Sequence, residues 1–254
     1  MDTAEIVRLD AERQENLREL LWESHRDAVP IRESFLQLRG APPEPGPLAE
    51  IVRKGYHHAF DTYLVMLGVT SAPPFRLHVS VDFWAPLLRR PTQSLRNGRL
   101  ALYRSLAILD DLDLFRQETH LGVPRFQLLN ESGSGDPYFH PADRREHYLT
   151  LPHAYWERGI DRELGLPGKA VLLMARSLHP SGFNLPTARA SEWYGISPDT
   201  VRRGIDELVR AKLLAYTKET VPSRNAPRGT TVRRSYVLVG PMTRRRPSKP
   251  RNAA

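Results

Sequence analysis

The fold of this chain is constrained most by one helix with a marked beginning, which two β-prone segments follow directly. Ser197-Pro198-Asp199 combines an N-cap residue, a proline suited to the first turn and an acid at the positive end of the helix dipole. Four apolar residues then recur at i, i+4, i+7 and i+8: Val201, Ile205, Leu208 and Val209. This spacing predicts a helix over Pro198–Lys212 that buries one face against the rest of its domain.

Elements before and after this helix complete a compact unit. Apolar spacing predicts helices over Lys169–His179 and Ala188–Tyr194, and Gly195-Ile196-Ser197 is typical of a tight turn between helices. Residues with high β-propensity predict strands over Leu213–Glu219 and Val232–Val239. The expected order is therefore two helices, a tight turn, a third helix and a hairpin.

The basic residues of this unit lie where they can meet a polyanion. By helical periodicity Thr200, Arg202 and Arg203 fall off the apolar face, so the start of the helix presents them to a partner. Arginine can bond guanine bidentately in the major groove, and a basic hairpin tip can contact phosphates or the minor groove. The candidate DNA-binding residues are Ser197, Thr200, Arg202, Arg203, Arg210, Arg224, Arg228, Gly229, Arg233 and Arg234.

The net charge of +8 is distributed unevenly along the 254 residues. Residues 1–140 hold 16 basic and 19 acidic side chains, whereas residues 141–254 hold 21 basic and 10 acidic ones. Arginine outnumbers lysine 32 to 5, as a GC-rich genome would produce, but codon bias does not place the positive charge in one half. We therefore expect the C-terminal half to bind a polyanion and the N-terminal half not to.

The run from Tyr194 to Leu208, with Lys212-Leu213-Leu214 after it, resembles winged helix-turn-helix DNA-binding domains. It is most similar to the pattern of GntR-type bacterial regulators, and the resemblance covers about a third of the chain. It implies that Thr200, Arg202 and Arg203 face the DNA and that Gly229 is the wing glycine. The wing predicted here is longer than the usual one, which leaves its contacts less defined.

The whole chain is predicted to be an α+β protein of mainly helical character, an N-terminal helix followed by tandem winged helix-turn-helix domains. The expected parts are an N-terminal helical segment (1–38), a proline-rich linker (39–47), a first winged-helix domain (48–130), a second one (141–240) and a basic disordered tail (241–254). Residues 130–137 are predicted to be a flexible connector.

Residues 48–130 are interpreted as a degenerate copy of the second domain. The same order recurs, with helices predicted over Tyr56–Val69, Val81–Arg90 and Leu95–Asp110 and strands over Leu114–Thr119 and Arg125–Leu129. A shift of 102 residues places Leu106 on Leu208 and Leu112 on Leu214. Internal duplication would explain the chain length simply.

The N-terminal segment is expected to bind protein rather than DNA. It carries 9 acidic and 5 basic residues, together with a broken apolar stripe formed by Ile6, Leu9, Leu17, Leu20 and Leu21. An isolated helix would leave this stripe in water, so we predict a homodimer or a protein partner through it. The alternative is that the helix folds back on its own chain.

No constellation in the sequence supports catalysis, a cofactor or a metal. The chain contains no cysteine, and the histidine groups (His57-His58 with Asp61, or His140, His147 and His153) lack the paired i, i+4 spacing of zinc proteases. Gly165–Ala170 differs from a phosphate loop, because it lacks four residues between the glycines and has Ala170 where the loop has a hydroxyl side chain. Asp110, Asp111 and Asp113 are typical of a solvated helix end. We expect a protein that is not an enzyme.

The expected function is sequence-specific binding of double-stranded DNA, as a transcriptional regulator or a plasmid or phage control factor. Two alternatives remain, a replication initiator with tandem winged helices and a partition or scaffold adaptor anchored to DNA. No apolar run is long enough to cross a bilayer, and the N-terminal residues lack the plan of a signal peptide. We therefore expect no membrane partner and a cytoplasmic location.

Overall fold

A computed structural model describes residues 3–70, 72–89, 93–120, 123–178, 181–185, 187–222 and 230–243. The protein is an α+β fold in which helices alternate with small antiparallel sheets. The N-terminal elements are α1 (Thr3–Trp22), β1 (Ala28–Arg32), β2 (Gln37–Leu38), β3 (Glu44–Pro45) and α2 (Pro47–Lys54). The predicted linker 39–47 therefore contains a strand, and its proline at position 47 begins a helix.

The first helical unit follows α2. Its elements are α3 (His57–Val69), β4 (Arg76–Leu77), α4 (Val81–Leu88), α5 (Leu95–Asp111), β5 (Phe115–His120) and β6 (Val123–Leu128). The three strands form an antiparallel sheet in the order β4-β6-β5. Helix α5 begins where the Ser94 hydroxyl accepts the backbone N–H of Asn97, a regular N-cap.

The second helical unit has three additional elements at its start and then repeats the order of the first. Its elements are β7 (Tyr148–Pro152), α6 (Ala154–Glu157), α7 (Ile160–Glu163), α8 (Leu166–Ser177), α9 (Thr187–Tyr194), α10 (Pro198–Arg210), β8 (Leu214–Pro222) and β9 (Thr230–Leu238). Strands β8 and β9 form a hairpin, and Phe183 adds an antiparallel bridge to Tyr236 of β9. This bridge has the same position between α8 and α9 that β4 has between α3 and α4.

The two units share a backbone detail that fixes their correspondence. Asp113 (φ +52°) and Lys212 (φ +56°) are both left-handed, and each follows the last helix of its unit. The next residue in each unit donates its N–H back into that helix, Leu114 to Leu109 O at 3.0 Å and Leu213 to Leu208 O at 2.9 Å. The helices therefore correspond at a shift of 99 residues, and the predicted shift of 102 was wrong by almost one turn.

The prediction that the N-terminal segment 1–38 is helical is wrong for its second part, which contains strand β1. Strand β1 pairs antiparallel with β7, with Val29 opposite Leu151 and Ile31 opposite Leu149, and these four side chains are buried. Burial alternates along β7, where every second side chain faces the core, whereas β1 is buried on both faces, because Pro30 and Arg32 are buried as well. Residues 28–32 thus belong to the core between the units.

Helix α1 packs on its own chain. Leu17 and Leu21 are at most 1% exposed, and Leu9 and Leu20 are half-buried. Arg13 of this helix forms a buried ion pair with Asp161, at 2.6 Å, and donates to the carbonyl of Leu87. Four of the five stripe residues are therefore at least half-buried within one chain, and the side chain of the fifth, Ile6, lies outside the described part, so the stripe does not support a dimer through it.

Two further segments differ from the prediction. The connector 130–137 is anchored at its start, because Glu131 is fully buried and pairs with Arg32 of β1, while Ser134, Asp136 and Pro137 are exposed. At the start of the predicted tail, Met242 is fully buried and its carbonyl accepts a hydrogen bond from Arg176. The rest of that tail, residues 244–254, lies outside the described residues.

Helices α3 and α8 lie at the centre of the fold, and each is buried on nearly all sides. An ion pair joins them, since Lys169 Nζ lies 2.5 and 2.7 Å from the two carboxylate oxygens of Asp61. No helix in the described part of the chain is both long and apolar enough to span a membrane. Within the same residues, no group of three potential metal ligands comes together.

Candidate nucleic-acid interface

Helix α10 is held with one face inward and its first turn outward. Ser197 caps it by accepting the N–H of Thr200 at 3.2 Å, while Val201, Ile205 and Leu208 are buried against α8 and α9. At Gly204 a Cβ would lie 2.4 Å from the carbonyl oxygen of Pro167. The glycine thus permits a close approach of α10 to α8.

A partly buried contact also fixes the position of α10 along α8. The carboxylate of Glu207 accepts the N–H groups of Gly165 and Gly168, at 2.9 and 3.1 Å. These donors belong to the first turn of α8, where backbone N–H groups have no partner within the helix. Glu207 therefore supplies a cap from another helix, and its charge is favourable at the positive end of the α8 dipole.

The outer face of α10 carries the residues predicted from the sequence. Arg202 and Arg203 are exposed, as are Ser197 and Arg210, and Thr200 is half-buried. Arg202 pairs with Asp199 at 3.1 Å, and Arg203 donates to the Thr200 hydroxyl at 3.2 Å. Exposed contacts of this kind contribute at most about 1 kcal/mol, so both arginines can exchange them for a polyanion.

The hairpin carries basic and aromatic residues on one face. In its register Tyr216 lies opposite Tyr236, and Lys218 lies opposite Arg234. The Lys218 ammonium and the Arg234 guanidinium lie 5.7 and 5.6 Å from the centre of the Tyr216 ring. Tyr216 is 41% exposed, so the outer part of this face combines an accessible aromatic ring with two cations.

The base of the hairpin is anchored to the body of the second unit. Tyr236 is buried, its ring stacks on Phe183 at 6.0 Å, and the two residues exchange backbone hydrogen bonds of 2.8 and 2.9 Å. The other face of the hairpin places Glu219 opposite Arg233. The acid next to Arg233 reduces its local positive charge, so Arg234 is the better placed of the two predicted arginines.

Seven of the predicted site residues can be placed. Ser197 is the N-cap of α10, Thr200, Arg202, Arg203 and Arg210 lie on that helix, and Arg233 and Arg234 lie on β9. The predicted hairpin-tip residues Arg224, Arg228 and Gly229 lie outside the described residues. Sequence reasoning missed Tyr216 and Lys218, although their spacing of two, once β8 had been predicted, places them on one face of that strand.

The helix of the first unit that corresponds to α10 also has a basic outer face. Arg96, Arg99 and Arg104 of α5 are exposed and no acid occurs between residues 95 and 109, but Arg99 pairs with Asp82 of α4 at 2.6 Å. At the shift of 99, Tyr103 and Arg104 stand where Arg202 and Arg203 stand in α10. The face differs in being partly apolar, because Tyr103 and Leu100 are 57% and 47% exposed.

Comparisons with known proteins add no relative to this description. No protein-family model matches the chain, and no curated protein or solved structure is significantly similar to it. The function must therefore be argued from the site itself.

Proposed function

We propose that residues 166–238 form a winged helix-turn-helix domain that binds double-stranded DNA sequence-specifically and without catalysis. In this proposal α9 and α10 are the helix-turn-helix, and β8 and β9 are the wing. The observation that carries it is the outward first half of α10, with exposed Arg202 and Arg203 on a helix whose other face is firmly packed. The biological role that we propose is that of a transcriptional regulator or a plasmid or phage control factor.

The geometry of α10 suits insertion into the major groove. A groove about 12 Å wide admits one helix, and residues near its N-terminus then reach the base edges. Gly204 and Glu207 hold α10 close to α8, so the arginines are presented from a rigid support. Base readout is more precise from a rigid element than from a loop.

The hairpin suits contact with the backbone next to that groove. Lys218 and Arg234 can neutralise phosphates, and Tyr216 between them offers a flat ring and a hydroxyl donor. These contacts carry no sequence information by themselves, so we assign readout to α10 and anchoring to the wing.

The test is salt-dependent binding of the full chain to mixed duplex DNA. A fragment beginning at residue 141 would lose β1, the partner of β7, and is therefore not suitable. We expect log K to fall linearly with log salt, with a slope of about −0.9 for each phosphate neutralised. Arg234→Ala should reduce that slope by roughly 1 and weaken all sequences alike. Absence of binding at low salt would rule out the proposal.

A second candidate is a replication initiator that uses both helical units on DNA. It is favoured by the repeated order of elements and by the basic face of α5, with Arg96, Arg99 and Arg104 exposed. Two reading helices in one chain should protect two separate segments of a selected site from cleavage. A variant that combines Arg96→Ala, Arg99→Ala and Arg104→Ala tests this candidate. Loss of protection at one of the two segments supports it, and an unchanged footprint contradicts it.

A further inference from the structure

The two exposed large apolar side chains of the second unit lie on one face of its hairpin. Among the described residues from 141 onward, only Tyr216 and Val232 are of this kind, at 41% and 57% exposed. The strand register places both on the same side of the sheet as two exposed cations. This wing face consists of Tyr216, Lys218, Thr220, Val232 and Arg234.

The ring of Tyr216 is supported at its base and open to solvent. Its centre lies 5.9 Å from that of Tyr236, which is buried and stacked on Phe183. The charged groups of Lys218 and Arg234 lie 5.7 and 5.6 Å from the centre of the Tyr216 ring. Atoms stacked on a ring approach to about 3.5–4.0 Å, so the cations flank the ring and leave part of it to a ligand.

The charge of the wing face is positive. Its described residues include no acid, because Glu219 lies on the other face of the hairpin, opposite Arg233. Lys218 and Arg234 form no ion pair within the part of the chain that the structure describes. The wing face therefore combines an accessible aromatic ring with two cations that are available to an anionic ligand.

This combination fits an unpaired nucleotide better than a base pair. In a duplex the flat faces of the bases are stacked on their neighbours, and the grooves show only the base edges. In a single strand the faces can stack on an aromatic side chain while cations neutralise the neighbouring phosphates. Tyr216 supplies the aromatic face, and Lys218 and Arg234 supply the cations.

We propose that the wing face binds a short unpaired segment of DNA, with one base stacked on Tyr216. From Tyr216 to Thr220 the face extends about 13 Å, because a strand rises about 3.3 Å per residue. This length accommodates about four nucleotides at the 3.4 Å spacing of a stacked strand. The inference rests on the proposed function only in assigning the strand to DNA. Duplex bound by α10 and an unpaired strand on the wing would together favour local opening of the DNA.

The first experiment compares three labelled 12-residue strands on the unmodified full chain at low salt. They are oligodeoxythymidine, an abasic strand of equal charge and oligouridine. We expect oligodeoxythymidine to bind at least fivefold tighter than the abasic strand, equivalent to about 1 kcal/mol, because only bases stack. Equal affinity of these two strands would overturn the proposal, since charge alone would then explain binding. At least tenfold tighter binding of oligouridine would assign the face to RNA and also overturn it.

The second experiment locates the stacked base. Tyr216→Leu keeps apolar bulk but removes the ring, and should weaken oligodeoxythymidine binding at least fivefold and abolish the preference over the abasic strand. Tyr216→Phe keeps the ring and should bind within twofold of the unmodified protein. Trp22→Leu, at a 76% exposed aromatic residue of α1, is the control and should have no effect. Unchanged affinity in Tyr216→Leu would contradict the proposal.

A photochemical cross-link tests the same contact without a substitution, in case Tyr216→Leu disturbs the hairpin. A strand that carries one 5-iodouracil base should become joined to β8 of the unmodified protein on irradiation. Cross-links confined to α5 or α10 would rule out stacking on the wing face.

The combined Arg202→Ala and Arg203→Ala variant separates this inference from the proposed function. It should lose selective duplex binding and keep its affinity for oligodeoxythymidine. Loss of single-strand binding in that variant, with retention in Tyr216→Leu, would place the strand on α10 and overturn this inference alone. Absence of duplex binding, with single-strand binding that depends on Tyr216, would overturn the proposed function alone.

Discussion

Arg202 and Arg203 are both exposed on the first half of α10, but they have different partners. Arg202 pairs with Asp199 one turn earlier, and Arg203 donates to the Thr200 hydroxyl that also contacts the Ser197 cap. Both contacts are local and exposed, so they orient the guanidinium groups without holding them strongly. Such residues are available for base recognition at little cost to the fold.

If either arginine reaches a base edge, its removal should change sequence preference as well as affinity. We expect Arg202→Ala or Arg203→Ala to weaken the preferred site by about 1–3 kcal/mol and to relax selection at one position. Selection from a random duplex library measures this. Arg18→Ala is the matched control, because Arg18 is an exposed helical arginine paired with an acid three residues away. Identical preferences for the unmodified protein and both variants would show that neither residue reads a base.

His153 makes stability depend on pH. Burial lowers its pKa, and Arg26 acts in the same direction against the opposing carboxylates of Glu157 and Asp27. The unfolded chain, with an ordinary pKa of about 6.5, therefore binds the proton more readily than the folded chain. Because the unfolded state gains protons first, the free energy of unfolding should fall as the pH drops below about 6.5.

The substitution His153→Gln should flatten this acid dependence. One proton contributes a slope of at most about 1.4 kcal/mol per pH unit, so urea unfolding at pH 7.5 and 5.5 can resolve it. His78→Gln, at an exposed position, is the control. If the free energy of unfolding falls by the same amount between pH 7.5 and 5.5 in both variants, groups other than His153 cause the pH dependence.

At the scale of elements, the contact between α8 and α10 decides how the proposed reading helix is presented. Glu207→Ala would leave the N–H groups of Gly165 and Gly168 without their acceptor. We expect a loss of about 1–3 kcal/mol in the free energy of unfolding. The neighbouring Asp206→Ala removes an exposed carboxylate of the same helix and should change stability by less than about 0.5 kcal/mol. Equal effects in the two variants would contradict a capping role for Glu207.

The elements differ in how well their sequences predict them. Helix α10 begins at the predicted Pro198 and α9 lies within one residue of its predicted bounds, because caps, a tight turn and helical periodicity are local signals. Helix α2 was missed although Leu48 and Ile51 have helical spacing, because a helix of only eight residues directly after a proline-rich stretch gives a short signal. Strand β1 was missed as well, because Pro30 interrupts a helical pattern and its partner β7 lies more than 100 residues away.

At the scale of the molecule, a buried ionic cluster ties the N-terminal region to the loop between the two units. Arg32 pairs with Glu131 and Glu146 and donates to the carbonyl of Phe139. Glu131 is fully buried, and Arg32 is 2% exposed. Charges so far from water are tolerated only when each satisfies the other.

Removing one partner of the Arg32–Glu131 pair should therefore lower the free energy of unfolding more than removing both partners. Arg32→Met leaves a buried carboxylate uncompensated, and we expect a loss of about 3–5 kcal/mol by urea unfolding. Combining it with Glu131→Leu should recover a large part of that loss, because no lone buried charge remains at Glu131. A double variant no more stable than Arg32→Met alone would contradict this explanation.

Local sequence determined most of the second helical unit from α8 to β9, including the start of α10, its buried and exposed faces and the two strands of the hairpin, but not β7, α6 and α7 before them. It also determined the uneven charge that favours a polyanion near that unit. These properties depend on residues within a few turns of one another, so they do not require the tertiary arrangement of the chain. Only the tertiary structure decided what covers α1, which strand pairs with β1, and at what shift the two units correspond. The ion pair of Arg13 with Asp161 likewise exists only there, because it joins side chains 148 positions apart, and such contacts depend on packing rather than on local propensity.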